Sequence, residues 1–143
     1  MVKAVNSLKI LSLLVLLVTL LFVYAFLPVM VNLNPDVSGW SLHKEYFFYV
    51  VVGASLILNI FLIFAERTLS SIISSEEINA WIKGFSFVLN LYFSFLIGYV
   101  AVINNQNHFQ SGSYAYLNYL GPILVLVWII GLIFLSLKRN KTT

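Results

Sequence analysis

The 143-residue chain is 61% hydrophobic and 9% charged, with a mean hydropathy of +0.97, which leaves too little polar surface to cover a soluble globule. It has no cysteine, which excludes a disulfide framework, a thiolate nucleophile and a thiolate metal site. The net charge of +3 comes from residues at the ends of apolar runs, not from a basic stripe, so nucleic-acid binding is excluded as well.

A helix crossing about 30 Å of hydrocarbon needs roughly 20 mostly apolar residues. Four stretches qualify, and the first runs from about Ile10 to Val31. Val23 and Ala25 have the small-residue spacing of a signal-peptide cleavage site. The apolar run continues past them through Leu27, Val29, Met30 and Val31, longer than the usual core of such a peptide, so the segment is expected to stay as an anchor. Pro28 falls near its outer end, where water replaces the lost backbone bond. The connection from Asn32 to Glu45, punctuated by Pro35, Asp36 and Gly39, has the composition of an ordinary loop.

The second segment runs from about Tyr46 to Ala65. Ser55, Asn59 and Glu66 fall on one of its faces, at steps of four and seven. Glu66 and Arg67 read as interfacial anchors that snorkel toward water. An ion pair of Glu66 with Lys83 would contribute under about 1 kcal/mol if exposed. Ser74 with Glu77 matches a capping box, and Glu76 and Glu77 suit a first turn, so the next helix should begin near Ser75 and place Trp81 at the interface with its N–H in water.

The third segment spans about Ile82 to Ile103. Ser86, Asn90, Ser94 and Gly98 recur along it every four residues, forming one small and polar face. Packing that face on the polar face of the second segment puts Asn59 and Asn90 at matching depth, in reach of each other. As interhelical glue such a bond contributes about 0.6 to 2 kcal/mol. A transport site would instead call for a titratable group near the bilayer centre, and none is placed there. The second outer connection, Asn104 to Tyr116, is almost uncharged. The fourth segment covers about Leu117 to Leu137, with Gly121 and Pro122 as an entry turn or kink, and Tyr116 to Leu120 are expected to be helical too. Trp40, Tyr46, Tyr49, Tyr114, Tyr116 and Tyr119 would form an outer aromatic belt. No internal repeat stands out.

Cytoplasmic flanks carry the excess of Lys and Arg. Lys3, Lys9, Arg67, Lys83, Lys138, Arg139 and Lys141 stand on one side of the four-segment pattern and Lys44 alone on the other. The expected fold is therefore an all-α membrane protein: a single domain, residues 1–143, of four transmembrane helices in an antiparallel bundle with both termini cytoplasmic.

His43 and His108, with Asp36 and Glu45, lack the closely spaced pairs of a zinc site, so no metal is expected. No nucleophile elbow is present, and neither an enzyme nor a cofactor is expected.

Leu27-Pro28, then Val31, Asn34, Gly39 and Lys44, resemble the outer loop of a bacterial integral-membrane family of unknown function. In that family the loop runs Leu-Pro-x-x-Val/Ile, then His-x-Asn-x-x-Gly and Ser-Lys. The family's His falls on Asn34, its Asn on Asp36, and Lys44 comes early. Some members act as immunity proteins or receptors for a secreted killing peptide, and the resemblance implies an interaction role for Asp36, Gly39 and Trp40. The chain also resembles small four-helix proteins of unassigned function from Gram-negative bacteria, through Phe47 to Tyr49 and Tyr119 to Pro122, which implies a multi-pass protein of the inner membrane.

Three function classes follow. The first is a non-enzymatic accessory or regulatory module that sits in the lipid bilayer and packs with another membrane protein or a second copy of itself, using the faces of Ser55, Asn59, Ser86, Asn90, Ser94 and Gly98. The second is a peptide receptor of the immunity type. The third is a small oligomeric transporter or channel.

Overall fold

The computed structural model describes residues 2–33, 40–73, 75–105 and 116–140. Four helices carry the fold: α1 (Val2–Phe26), α2 (Lys44–Ile72), α3 (Glu76–Asn104) and α4 (Leu117–Asn140). Each is long and apolar enough to cross a membrane, the pattern of a multi-pass membrane protein. The shortest has 24 residues, about 36 Å at 1.5 Å per residue, so all four exceed the hydrocarbon thickness and extend beyond it. Helical hydrogen bonding does not stop at the end of an apolar run, and so α1 begins before Ile10 and α2 continues past Ala65.

The outer end of α1 departs from expectation. The helix stops at Phe26, and Met30–Asn32 form a short strand, β1. Pro28 supplies the reason, because it lacks an N–H and its ring disfavours helical geometry at the preceding residue. The chain then turns back as an antiparallel hairpin with β2 (Ser41–His43), in the register Met30 to His43, Val31 to Leu42 and Asn32 to Ser41. Flanking bonds from Leu33 N–H to Trp40 C=O (2.9 Å) and from Lys44 N–H to Val29 C=O (2.9 Å) extend the ladder in both directions. The connection read as an ordinary loop thus has a strand-paired base. Its tip, including Asn34, Asp36 and Gly39, lies outside the described residues.

The start of α3 agrees with expectation in position. Its N-cap is Ser75, whose hydroxyl accepts from Ile78 N–H at 3.5 Å, and Glu76 and Glu77 occupy the first turn. Ser74, proposed for the capping box, lies outside the described residues. Helix α4 runs through Pro122 without a break, with Tyr116 as a turn residue before it.

The core is a seam between α1 and α3. Leu16, Leu20 and Val23 recur on one face of α1, and Leu27 and Val31 continue the line into the hairpin. All five are nearly inaccessible and meet Phe47 of α2 and Ile97 of α3, with Phe93 and Ala101 packed alongside. Helix α3 is the hub: it packs extensively along α1 and along α4, and more sparsely against α2.

Candidate functional site

The polar residues of the first three helices converge into one seam beside this core. Helical spacing places Lys9, Ser12 and Leu16 on a common face of α1, so Lys9 points into the protein. Its ammonium lies 2.5 Å from Glu66 Oε2, and the other carboxylate oxygen, Oε1, accepts from the Ser86 hydroxyl at 2.6 Å. Glu66 is only 7% exposed. This corrects two expectations: Glu66 does not reach toward water, and its basic partner is Lys9, not Lys83. A helix that begins at Val2 carries Lys9 two turns inside its end, whereas a segment starting at Ile10 leaves it as a flanking charge.

One to two turns further along, Asn59 and Asn90 meet as their spacing suggested. Asn59 Nδ2 donates to Asn90 Oδ1 at 3.0 Å, and Asn90 Nδ2 donates to Asn59 Oδ1 at 3.3 Å and to the Ser12 hydroxyl at 3.3 Å. Ser12 in turn donates to Lys9 C=O at 2.8 Å, Ser55 to Val51 C=O at 2.7 Å and Ser94 to Asn90 C=O at 2.9 Å. Every side chain in the seam has a partner, which a low-dielectric site demands. Ser12, Ser55, Ser86, Asn90 and Ser94 are buried and Asn59 is half-buried. The small-residue face of α3 is therefore spent on α1 and α2. Gly98 is the exception, because a Cβ added there would meet no atom within 4 Å.

The join between α3 and α4 was not anticipated. Trp81 Nε1 donates to Trp128 C=O at 3.0 Å, and Trp128 Nε1 donates to Trp81 C=O at 3.2 Å. The two indoles lie nearly parallel, at an interplanar angle of 16°. A Cβ added at Gly131 would overlap the Trp81 ring, and one added at Gly84 would come within 3.9 Å of Trp128 Nε1. Each helix thus contributes a Trp followed three residues later by a glycine; Gly131 makes room for the Trp81 ring, while Gly84 lies in ordinary contact with Trp128. The signal stands in the sequence as a repeated string, Trp81-Ile82-Lys83-Gly84 and Trp128-Ile129-Ile130-Gly131. It also corrects the placing of the Trp81 N–H in water. Further along, Gly121 makes room for the Tyr92 ring.

A third polar join holds the hairpin. Asn104, the last residue of α3, accepts from Asn32 N–H through Oδ1 at 2.7 Å and donates through Nδ2 to Asn32 C=O at 2.8 Å, as a neighbouring strand would. Lys44, the lone basic residue on this side, lies over the Tyr24 ring at 5.2 Å. His43 caps α2, its Nδ1 accepting from Glu45 N–H at 3.4 Å. Trp40 is exposed, as are Tyr46, Tyr49, Tyr116 and Tyr119 of the expected belt, while His108 and Tyr114 lie outside the described residues.

Two grooves flank α4 toward the end that carries both termini. One, of about 460 Å³, runs between α2, α3 and α4, bordered by Leu69, Phe85, Leu132 and the Glu66 side chain. The other, of about 610 Å³, runs between α1, α3 and α4. Compared with known proteins, the chain matches no family model, no curated protein and no solved structure.

Proposed function

We propose that this chain is a non-enzymatic accessory module of the bacterial inner membrane. It spans the bilayer as an antiparallel four-helix unit with both termini cytoplasmic, and it packs with another membrane protein. The seven-to-one distribution of basic residues supports the orientation. The antiparallel reading draws on contact order: Lys9 with Glu66 and Tyr24 with Phe48 link α1 to α2, and Trp81 with Trp128 and Tyr92 with Gly121 link α3 to α4.

The observation that carries the partner reading is the division of labour between polar and apolar surface. Lys9, Ser12, Asn59, Glu66, Ser86 and Asn90 are taken up by joins among α1, α2 and α3, while α4 leans on α3 and shows most of its apolar surface outward, including Ile123, Val127, Ile130 and Phe134. Affinity purification from native membranes, followed by mass spectrometry, tests it. Gly98→Leu adds bulk to an open stretch of α3 and is expected to reduce the co-purified partner at unchanged membrane level. A chain that purifies alone in mild detergent overturns the proposal.

A second reading, a receptor for a secreted peptide, draws on the paired strands, whose base Asn104 braces from the side at Asn32; Asp36 and Gly39 lie in the sequence between them. Replacing Asp36 or Trp40 would then abolish the response to the peptide without lowering the protein's level.

A further inference from the structure

The 610 Å³ groove has a chemistry that the partner reading does not use. Its floor is the strip of α3 around Ala80 and Gly84, and its sides are Leu8 of α1 and Leu135 of α4. Trp81 and Trp128 also line it. Two charged side chains of opposite sign, Glu77 and Lys138, stand at the end nearest the termini, both exposed.

Length and charge order point to the occupant. From Glu77 to Val88 along α3 is about 16 Å, and from Lys138 to Trp128 along α4 about 15 Å, at 1.5 Å per residue. Both match half of a hydrocarbon core of about 30 Å, the depth of one leaflet. The groove, of about 610 Å³, runs that length between α1, α3 and α4, and a single acyl chain fits within it. The groove starts at the membrane surface with one acid and one base and continues as apolar wall, in the order in which a zwitterionic phospholipid presents its groups.

We propose that this groove binds one phospholipid whose headgroup carries a primary ammonium beside its phosphate. The acyl chain lies over Gly84 between Leu8 and Leu135, the phosphate faces the Lys138 ammonium, and the lipid's ammonium donates to the Glu77 carboxylate. The inference rests on the membrane placement but not on the existence of a protein partner.

The test uses the full chain with Trp40→Phe, which leaves Trp81 and Trp128, both on the groove, as the emitters among the chain's three tryptophans. The protein is reconstituted in phosphatidylcholine vesicles containing brominated-chain phosphatidylethanolamine, phosphatidylglycerol or phosphatidylcholine as quencher. The ethanolamine lipid is expected to quench with at least threefold higher relative affinity than the other two. Glu77→Gln and Lys138→Met should each bring that ratio back toward one while the helical content, read by circular dichroism, stays unchanged. Equal quenching by all three lipids, the behaviour of ordinary surrounding lipid, overturns the proposal. So does a preference for phosphatidylglycerol, which would report only a basic surface. Absence of quenching by any brominated lipid would instead count against the membrane placement itself.

Discussion

Glu66 shows how strongly one side chain depends on neighbours far away in sequence. A carboxylate at 7% exposure is tolerable because Lys9 neutralises it and Ser86 binds its second oxygen. Removing one member of such a pair costs more than removing both, since the survivor is left charged and desolvated. Lys9→Met is therefore expected to destabilise by about 1 to 3 kcal/mol, and the double variant Lys9→Met with Glu66→Gln to recover much of the loss, as read from thermal unfolding in detergent. Asn90→Leu removes the donor to Asn59 Oδ1 and to the Ser12 hydroxyl, each residue keeping a bond to a backbone carbonyl, and should cost about 0.6 to 2 kcal/mol. The Asn59 and Asn90 contact was legible in the sequence, because an amide inside a membrane has few places to put its hydrogen bonds and helical spacing set both at similar depth. The Lys9 and Glu66 pair was not. Spacing assigns residues to faces of a helix, but which helices become neighbours is decided by packing.

Elements repeat the lesson at larger scale. The four apolar helices could be read directly, since lipid permits little else for runs of this length. The hairpin could not: three-residue strands carry no periodic signal, and Pro28, which stops the helix, sits inside an apolar run that continues to Val31. Asn104 turns that hairpin from a loop into a braced element by offering its amide as a surrogate strand. Asn104→Ala is expected to speed hydrogen exchange at the Asn32 amide by tenfold or more while leaving the helical amides unchanged. At the α3 and α4 join, the glycines are receptacles for aromatic rings. Gly121→Ala should destabilise by about 1 to 3 kcal/mol through overpacking against Tyr92, and Tyr92→Leu should restore part of it. A Gly121→Ala protein of unchanged stability would show that α4 stands further from α3 than described.

At the scale of the whole molecule, the absence of cysteine makes single introduced thiols clean reporters of orientation. Ser41→Cys, on β2, is expected to react with an impermeant maleimide in intact cells. Ser71→Cys, at the opposite end of α2, should react only after the membrane that holds the protein is opened. Reversed accessibility would invert the topology drawn from the basic residues. The molecule is also unevenly cohesive: α1 and α3 pack along the apolar seam, α2 joins it at one end through Phe47 and further along through polar contacts, and α4 leans on α3. The reciprocal tryptophan clasp adds a restriction on how such a protein can move. Shifting α4 along α3 by one turn would take the Trp81 ring off Gly131 and break both N–H bonds at once, so the two halves of the clasp are lost together. Sliding therefore costs both bonds in a single step, whereas a rocking of α4 about the clasp keeps them.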